Sequence, residues 1–200
     1  MEAVTKAVEV LRSGGVILYP TDTVYALAGD ALRKEVLEKI YKIKGRDEGK
    51  PIHSVFSSLE SASEYVEITP LARALAEKFL PGPLTLLLTK KDTVPTWVTA
   101  GKDTFGVRIP KNDFCLALAH EFKKPYTTTS ANRAGEPTLL SPEEILAQLG
   151  KRGEEIDLVI DAGVLPASAA STIVDARGEK PVIVREGVIS KEKIFIASER

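Results

Sequence analysis

This sequence predicts an α/β domain built on a mixed sheet, and three observations predict it. Some segments place apolar residues at helical spacing, whereas others are short Val/Ile-rich runs of strand length. The two kinds alternate along the chain. The 200 residues, 44% of them hydrophobic and 28% charged, suit one domain with a sizeable core.

The elements can be justified in order. Residues 2 to 13 set Val4, Ala7, Val8 and Leu11 on one helical face, and Gly14-Gly15 ends the segment. "VILY" follows as a buried strand. "YPTDTVYALAGDA" (19–31) reads as a polar loop held at the edge of a core, where its hydroxyls and carboxylate need partners. Residues 33 to 44 align Val36, Leu37, Ile40, Tyr41 and Ile43 as a helix. "PIHSVF" reads as a strand. Thr69-Pro70 opens a helix to about Leu80, stopped by Pro81-Gly82-Pro83. "LTLLLT" and "FGVRIP" are strands. Asn112 caps a helix through Phe122, and "KPYTTT" is a short strand ending in a polar loop. Ser141-Pro142-Glu143-Glu144 is a capping box for a helix to about Leu149. "LVIDA", "STIVDA" and "PVIVREG" are late strands, and a short helix follows Ser190. "GEPTLLSPEE" and "KRGEE" read as surface loops.

Composition excludes several classes. A net charge of −1 makes the chain no bulk polyanion binder, though a local basic patch is compatible with it. A single cysteine, Cys115, excludes an intrachain disulfide and a Cys-cluster zinc site. The N-terminus is not a signal peptide, and no apolar run approaches the ~18 residues of a membrane span. The expected location is the cytoplasm. P-loop, dinucleotide and nucleophile-elbow motifs are absent. Both histidines, His53 and His120, are assigned structural or surface roles, and Ser190-x-x-Lys193 a capping role.

Four polar clusters remain, each at the end of an apolar element, where α/β folds present ligand groups. They are Thr21-Asp22-Thr23; Lys44, Arg46 and Lys50 in "KIKGRDEGKP"; Thr128, Ser130 and Asn132 in "TTTSAN"; and Ser171-Thr172 with Arg185. Three cations around a glycine-bearing loop can wrap a polyphosphate. The hydroxyls and amides of Ser130, Asn132 and Thr138 suit ribose, phosphate or adenine edges, and Arg108 could clamp a carboxylate. The residues by themselves reach an anionic, nucleotide-like ligand.

The order of the clusters resembles a known family. "YPTDTVYALAGDA", "KGRDEGKP", "PGPLTLLL", "GVRIP", "TTSAN…G…PT", "STIVD" and "VREG" are similar to the motifs of the YrdC family of threonylcarbamoyl-AMP synthases, over about residues 5 to 188. The resemblance implies a twisted open sheet with flanking helices around a large concave cavity. It implies synthesis of threonylcarbamoyl-adenylate and pyrophosphate from L-threonine, bicarbonate and ATP with Mg²⁺. A downstream transfer enzyme would then modify the tRNA adenosine beside the anticodon. By position it implies threonine contacts at Thr23, Arg108, Thr128 and Ser171. It implies ATP contacts at Arg46, Lys50, Thr104, Ser130, Asn132, Thr138 and Arg185. Catalysis would fall to Lys44, Arg46 and Lys50, without a covalent enzyme intermediate; no metal ligands are assigned. The alternatives are a double-stranded RNA-binding or ribosome-maturation module of the same fold, with RNA bound directly by the basic loop, and a paralogue without the activity.

The chain departs from the family pattern at four places. Ala26 and Ala28 stand where the family usually has glycine, and the added methyls are expected to narrow the loop or shift its backbone. Asp47 replaces a proline and brings a negative charge near the phosphates. Val55 occupies a position where some relatives carry a threonine-contacting histidine. The expected form is the short one: a single domain over 1–200 without the C-terminal extension of longer relatives.

Overall fold

Amphipathic segments become helices where they can bury one face, and a computed structural model of the chain, describing residues 2–199, shows which face each buries. The first helix, α1 (Glu2–Arg12), buries Ala7, Val8 and Leu11. A hairpin follows, β1 (Ile17–Pro20) and β2 (Tyr25–Ala28), with Ile17 opposite Ala28 and Pro20 opposite Tyr25. The second half of the expected loop is therefore a strand. Its four residues are fully enclosed, and Tyr-Ala-Leu-Ala alternates between the two sheet faces.

Next come α2 (Lys34–Lys44), β3 (His53–Val55), a single turn α3 (Leu59–Ala62), α4 (Pro70–Phe79), β4 (Leu84–Thr89) and β5 (Thr104–Arg108). The chain continues through α5 (Asp113–Phe122), β6 (Tyr126–Ser130) and α6 (Pro142–Leu149), then a 3₁₀ turn over Gly150–Glu155 where a loop was expected. It ends with β7 (Leu158–Val159), β8 (Thr172–Asp175), β9 (Val182–Arg185) and α7 (Lys191–Ser198). Side-chain caps place three helix starts where the sequence does. Thr69 accepts from Ala72 N–H at 3.0 Å, Asn112 from Cys115 N–H at 3.1 Å, and Ser141 from Glu144 N–H at 3.3 Å. Each such cap is worth ~1 kcal/mol. Ser190 precedes α7 without a side-chain cap bond.

Among the described residues, nine strands form one mixed sheet in the order β7-β1-β2-β6-β3-β5-β4-β8-β9. β1–β7, β3–β5 and β4–β8 are parallel, and the other neighbours are antiparallel. One face carries Leu18, Leu27, Leu84, Leu86, Leu88, Phe105, Val107 and Val174 into the main core, against residues of α2, α4, α6 and α7. The other face is divided. Toward β1 and β2 it carries Tyr19, Ala28, Val55 and Tyr126 into a second core under α1 and α5. Toward β8 the same face changes character. Register sets Thr85 beside Arg108 and Ile173 beside Arg185, and the row continues with His53, Thr128 and Ser130. Hydroxyls and cations there line a cavity instead of a core.

Candidate functional site: a cationic cavity on the sheet

The cavity encloses about 290 Å³. Its polar lining is Thr21, Thr23, Thr85, Thr128, Thr129, Ser130, Thr138 and Ser171, three arginines (Arg46, Arg108, Arg185) and His53. No carboxylate appears among the described lining residues. Eight hydroxyl-bearing residues and three guanidinium groups suit a polyanion with additional polar edges.

The β1–β2 loop builds one wall. The Thr21 hydroxyl donates to Val24 O at 2.7 Å and accepts from Thr23 N–H at 3.1 Å, closing the turn on itself. Asp22 accepts from Arg108 Nη2 at 2.5 Å and from Lys111 N–H at 3.2 Å. The same Arg108 nitrogen donates to Thr23 Oγ1 at 3.0 Å. Both members of the Asp22–Arg108 pair are over 90% buried. Asp22 is thus the residue that aims Arg108, while Arg108 Nε remains a buried donor without a partner. A guanidinium held this way keeps donors for a ligand carboxylate.

The basic segment divides at Gly45. This residue ends α2 in the left-handed region, φ 59° and ψ 40°, which glycine occupies without steric cost. Lys44, the last helical residue, turns into the protein and is 2% exposed. Its ammonium donates to Ser130 O and, at 3.0 Å each, to Asn132 O and Oδ1. Burial first, then Arg46, lowers its pKa to about 7, whereas the three oxygens favour the charged form. Lys44 therefore suspends the 130–132 loop and does not line the cavity.

Beyond the glycine, Arg46 does line it, donating to Thr129 Oγ1 at 3.4 Å and Pro51 O at 3.3 Å, with Nε unpartnered. Lys50 is exposed and outside the lining; its backbone carbonyl accepts from Tyr41 OH at 2.9 Å. The Asp47 carboxylate is occupied by Gly49 N–H at 2.9 Å in an exposed turn and does not enter the cavity.

On β6 and its loop, Thr128 and Ser130 line the cavity and Ser130 Oγ donates to Asn132 Oδ1 at 2.6 Å. Asn132 itself is consumed internally. Its amide nitrogen donates to Arg133 O and Glu136 O, at 3.1 and 2.6 Å, and its oxygen serves Lys44 and Ser130. On the opposite side Arg185 donates to Ser171 O at 2.7 Å, and the Ser171 and Thr85 hydroxyls meet at 2.9 Å. Partial burial, then the Arg108 charge, lowers the Arg185 pKa, although the residue remains exposed to solvent.

Of the twelve candidate residues, the structure brings Thr23, Arg46, Arg108, Thr128, Ser130, Thr138, Ser171 and Arg185 together. Lys44 and Asn132 lie behind the wall, and Lys50 lies outside. Thr104 starts β5, at the opposite end from Arg108, pairs with Thr89, and does not line the cavity. Thr21, flagged only as part of a polar cluster, also lines it, whereas Thr85, Thr129 and His53 were missed. Thr85 carried a signal: it interrupts an apolar strand that register sets beside Arg108. His53, expected to have a structural or surface role, lines the floor, while Val55 is fully buried in the second core. Ala26 and Ala28 keep regular strand backbone with no positive φ. Only the Ala26 methyl reaches the cavity; Ala28 packs in the second core.

Cys115, on α5, is fully buried, and burial raises its pKa far above the usual thiol range, so it is no nucleophile. No group of His, Cys, Asp and Glu among the described residues could hold a metal ion.

A mixed-sheet α/β domain with this cavity has the lining chemistry to suit a polyanionic small molecule. The chain belongs to the Sua5/YciO/YrdC family, described as "Telomere recombination", whose model matches residues 9–187. It is 34% identical over 186 residues to the threonylcarbamoyl-AMP synthase of Pyrococcus abyssi, covering 92% of this chain and 54% of the relative. The crystal structure of P. abyssi Sua5 complexed with L-threonine superimposes with a TM-score of 0.90 at 32% identity, over 97% of this chain and 56% of that one. Escherichia coli YciO is 35% identical over 187 residues, 92% of this chain and 89% of the relative, and its crystal structure gives a TM-score of 0.85. The chain therefore spans about half the length of the Pyrococcus protein and nearly all of YciO.

Proposed function

We propose that this protein is an L-threonylcarbamoyladenylate synthase, a nucleotidyltransferase that makes threonylcarbamoyl-AMP and pyrophosphate from L-threonine, bicarbonate and ATP. The observation that carries the reading is the cavity itself: three guanidinium groups and eight hydroxyl-bearing residues, with no carboxylate, on the open half of one sheet face. The name of the Pyrococcus relative and its L-threonine complex support the choice of substrates.

In this reading Arg108, aimed by Asp22, receives the amino acid carboxylate, and Thr23, Thr128 and Ser171 receive its amine and hydroxyl. Arg46, Arg185, Ser130 and Thr138 face the nucleotide. Mg²⁺ arrives as part of the ATP substrate, because the lining offers it hydroxyls but no carboxylate. A carboxylate oxygen of N-carboxythreonine attacks the α-phosphorus. The new P–O bond forms as the bond to the bridging oxygen breaks, and pyrophosphate leaves with the electron pair. Such chemistry relies on positioning and charge neutralisation, which preset guanidinium groups supply. A separate enzyme would carry the threonylcarbamoyl group to tRNA.

The test is direct. Pure protein with ATP, L-threonine, bicarbonate, Mg²⁺ and pyrophosphatase is expected to yield the adenylate by mass spectrometry. Pyrophosphate release that needs neither threonine nor bicarbonate overturns the reading. Because Lys44 and Lys50 lie outside the lining, one second reading is a family member that binds a similar anion without making this product. RNA binding that falls steeply with salt and ignores threonine and ATP would instead point to an RNA module.

A further inference from the structure

His53 lines the cavity floor, yet the roles above do not use it. It stands on β3 beside Thr128 of β6. On its other side is Gly106 of β5, where an added Cβ would come within 2.0 Å of His53 Nδ1. The bare glycine is therefore a seat for the imidazole, and any side chain there would displace the ring. Neither ring nitrogen has a hydrogen-bond partner among the described residues. The charged groups lining the same space are Arg46 from the loop after α2, Arg108 from β5 and Arg185 from β9. The one carboxylate close to them, Asp22, is engaged by Arg108. Guanidinium groups only donate. Among the described lining residues, the imidazole of His53 carries the one basic nitrogen lone pair facing the ligand space.

We propose that His53 is a catalytic residue that accepts the proton released when the substrate amine is carboxylated; this rests on the synthase reading above. The substrate ammonium gives one proton to the imidazole. The freed nitrogen lone pair forms the N–C bond to the bicarbonate carbon. The C–O bond to the bicarbonate hydroxyl breaks, and that hydroxyl leaves as water with the second amine proton. An ammonium, a bicarbonate and a neutral imidazole thus become a carbamate, a water and an imidazolium.

The surroundings make this step depend on the nucleotide. Burial first, then Arg185, Arg46 and Arg108, pushes the His53 pKa down to about 4. The ring is therefore neutral at pH 7 and a poor proton acceptor. A polyphosphate beside the three guanidinium groups compensates their charge and raises its basicity. Carboxylation is thereby favoured only when the nucleotide is in place.

The chain has two histidines, and His120 is exposed on α5, so its ring signal is an internal control. Titration of both Hε1 resonances is expected to show His53 protonating below pH 5 in the free protein. With saturating pyrophosphate plus L-threonine its midpoint should rise by about 1–2 units, with His120 unmoved. His53→Gln should lower kcat about 100-fold with KM for threonine within about threefold. A His53 midpoint indifferent to ligands, or a near-normal kcat in His53→Gln, overturns the proposal. A His53 response in a protein that makes no adenylate upholds the contact and overturns the synthase. No response in a protein that does make adenylate overturns this inference alone.

Discussion

Two corners of the cavity hold arginines in different ways. Arg108 is balanced: a buried carboxylate takes one guanidinium nitrogen, and a neighbouring hydroxyl shares it. Arg46 and Arg185 have only neutral partners, a threonine hydroxyl and the Pro51 carbonyl for one, Ser171 for the other. Partial burial lowers the pKa of both, although Arg185 remains exposed to solvent. The balanced corner is finished before a ligand arrives and can fix its orientation. The unbalanced side gains most from the ligand, as a phosphate site should.

Asp22→Asn should break the balanced corner with the largest effect. It leaves Arg108 buried beside a neutral amide, at a cost of about 3 kcal/mol, read as a lower urea midpoint. KM for threonine should rise while KM for ATP holds. An unchanged midpoint would mean that the pair is not needed to hold the wall. On the other side, Arg46→Ala should reduce turnover about 100-fold with little change in stability, because its partners are neutral and partly solvated. Normal rates would remove Arg46 from the phosphates.

Lys44→Met tests a cation that belongs to neither corner. The pKa of Lys44 is lowered from its ordinary value to about 7, so between that pH and about 10 the unfolded chain binds more protons than the folded one. Wild-type stability should therefore rise with pH through that window, by about 2 kcal/mol from pH 7 to 9 relative to Lys44→Met. Parallel profiles for the two proteins would show that the three oxygens keep Lys44 charged. The smallest effect is expected at Thr104→Ala, within about threefold for KM of ATP, since that residue stands at the far end of β5.

The sequence made visible what depends on neighbours in the chain. The caps at Thr69, Asn112 and Ser141 are local hydrogen bonds, and they set helix starts correctly. It was less informative where a side chain's environment is fixed from afar. Lys44 and Arg46 share a motif and a charge, but a left-handed glycine between them sends one into the protein and one to the ligand space. His53 and Val55 lie on the same sheet face, and only the position of α5 decides which is in the cavity and which in a core. The strand at Tyr25–Ala28 was masked by the polar residues before it, which form the hairpin's turn. Asp22 had no readable role because its partner, Arg108, is 86 residues away.

That long-range knot has a consequence for folding. The cavity draws on residues from Thr21 to Arg185, nearly the whole length of the chain. No fragment that ends before β9 can carry all three guanidinium groups. Ligand affinity is therefore a report on the completeness of the fold, and a bound ligand should raise the unfolding midpoint of the whole molecule as one cooperative step.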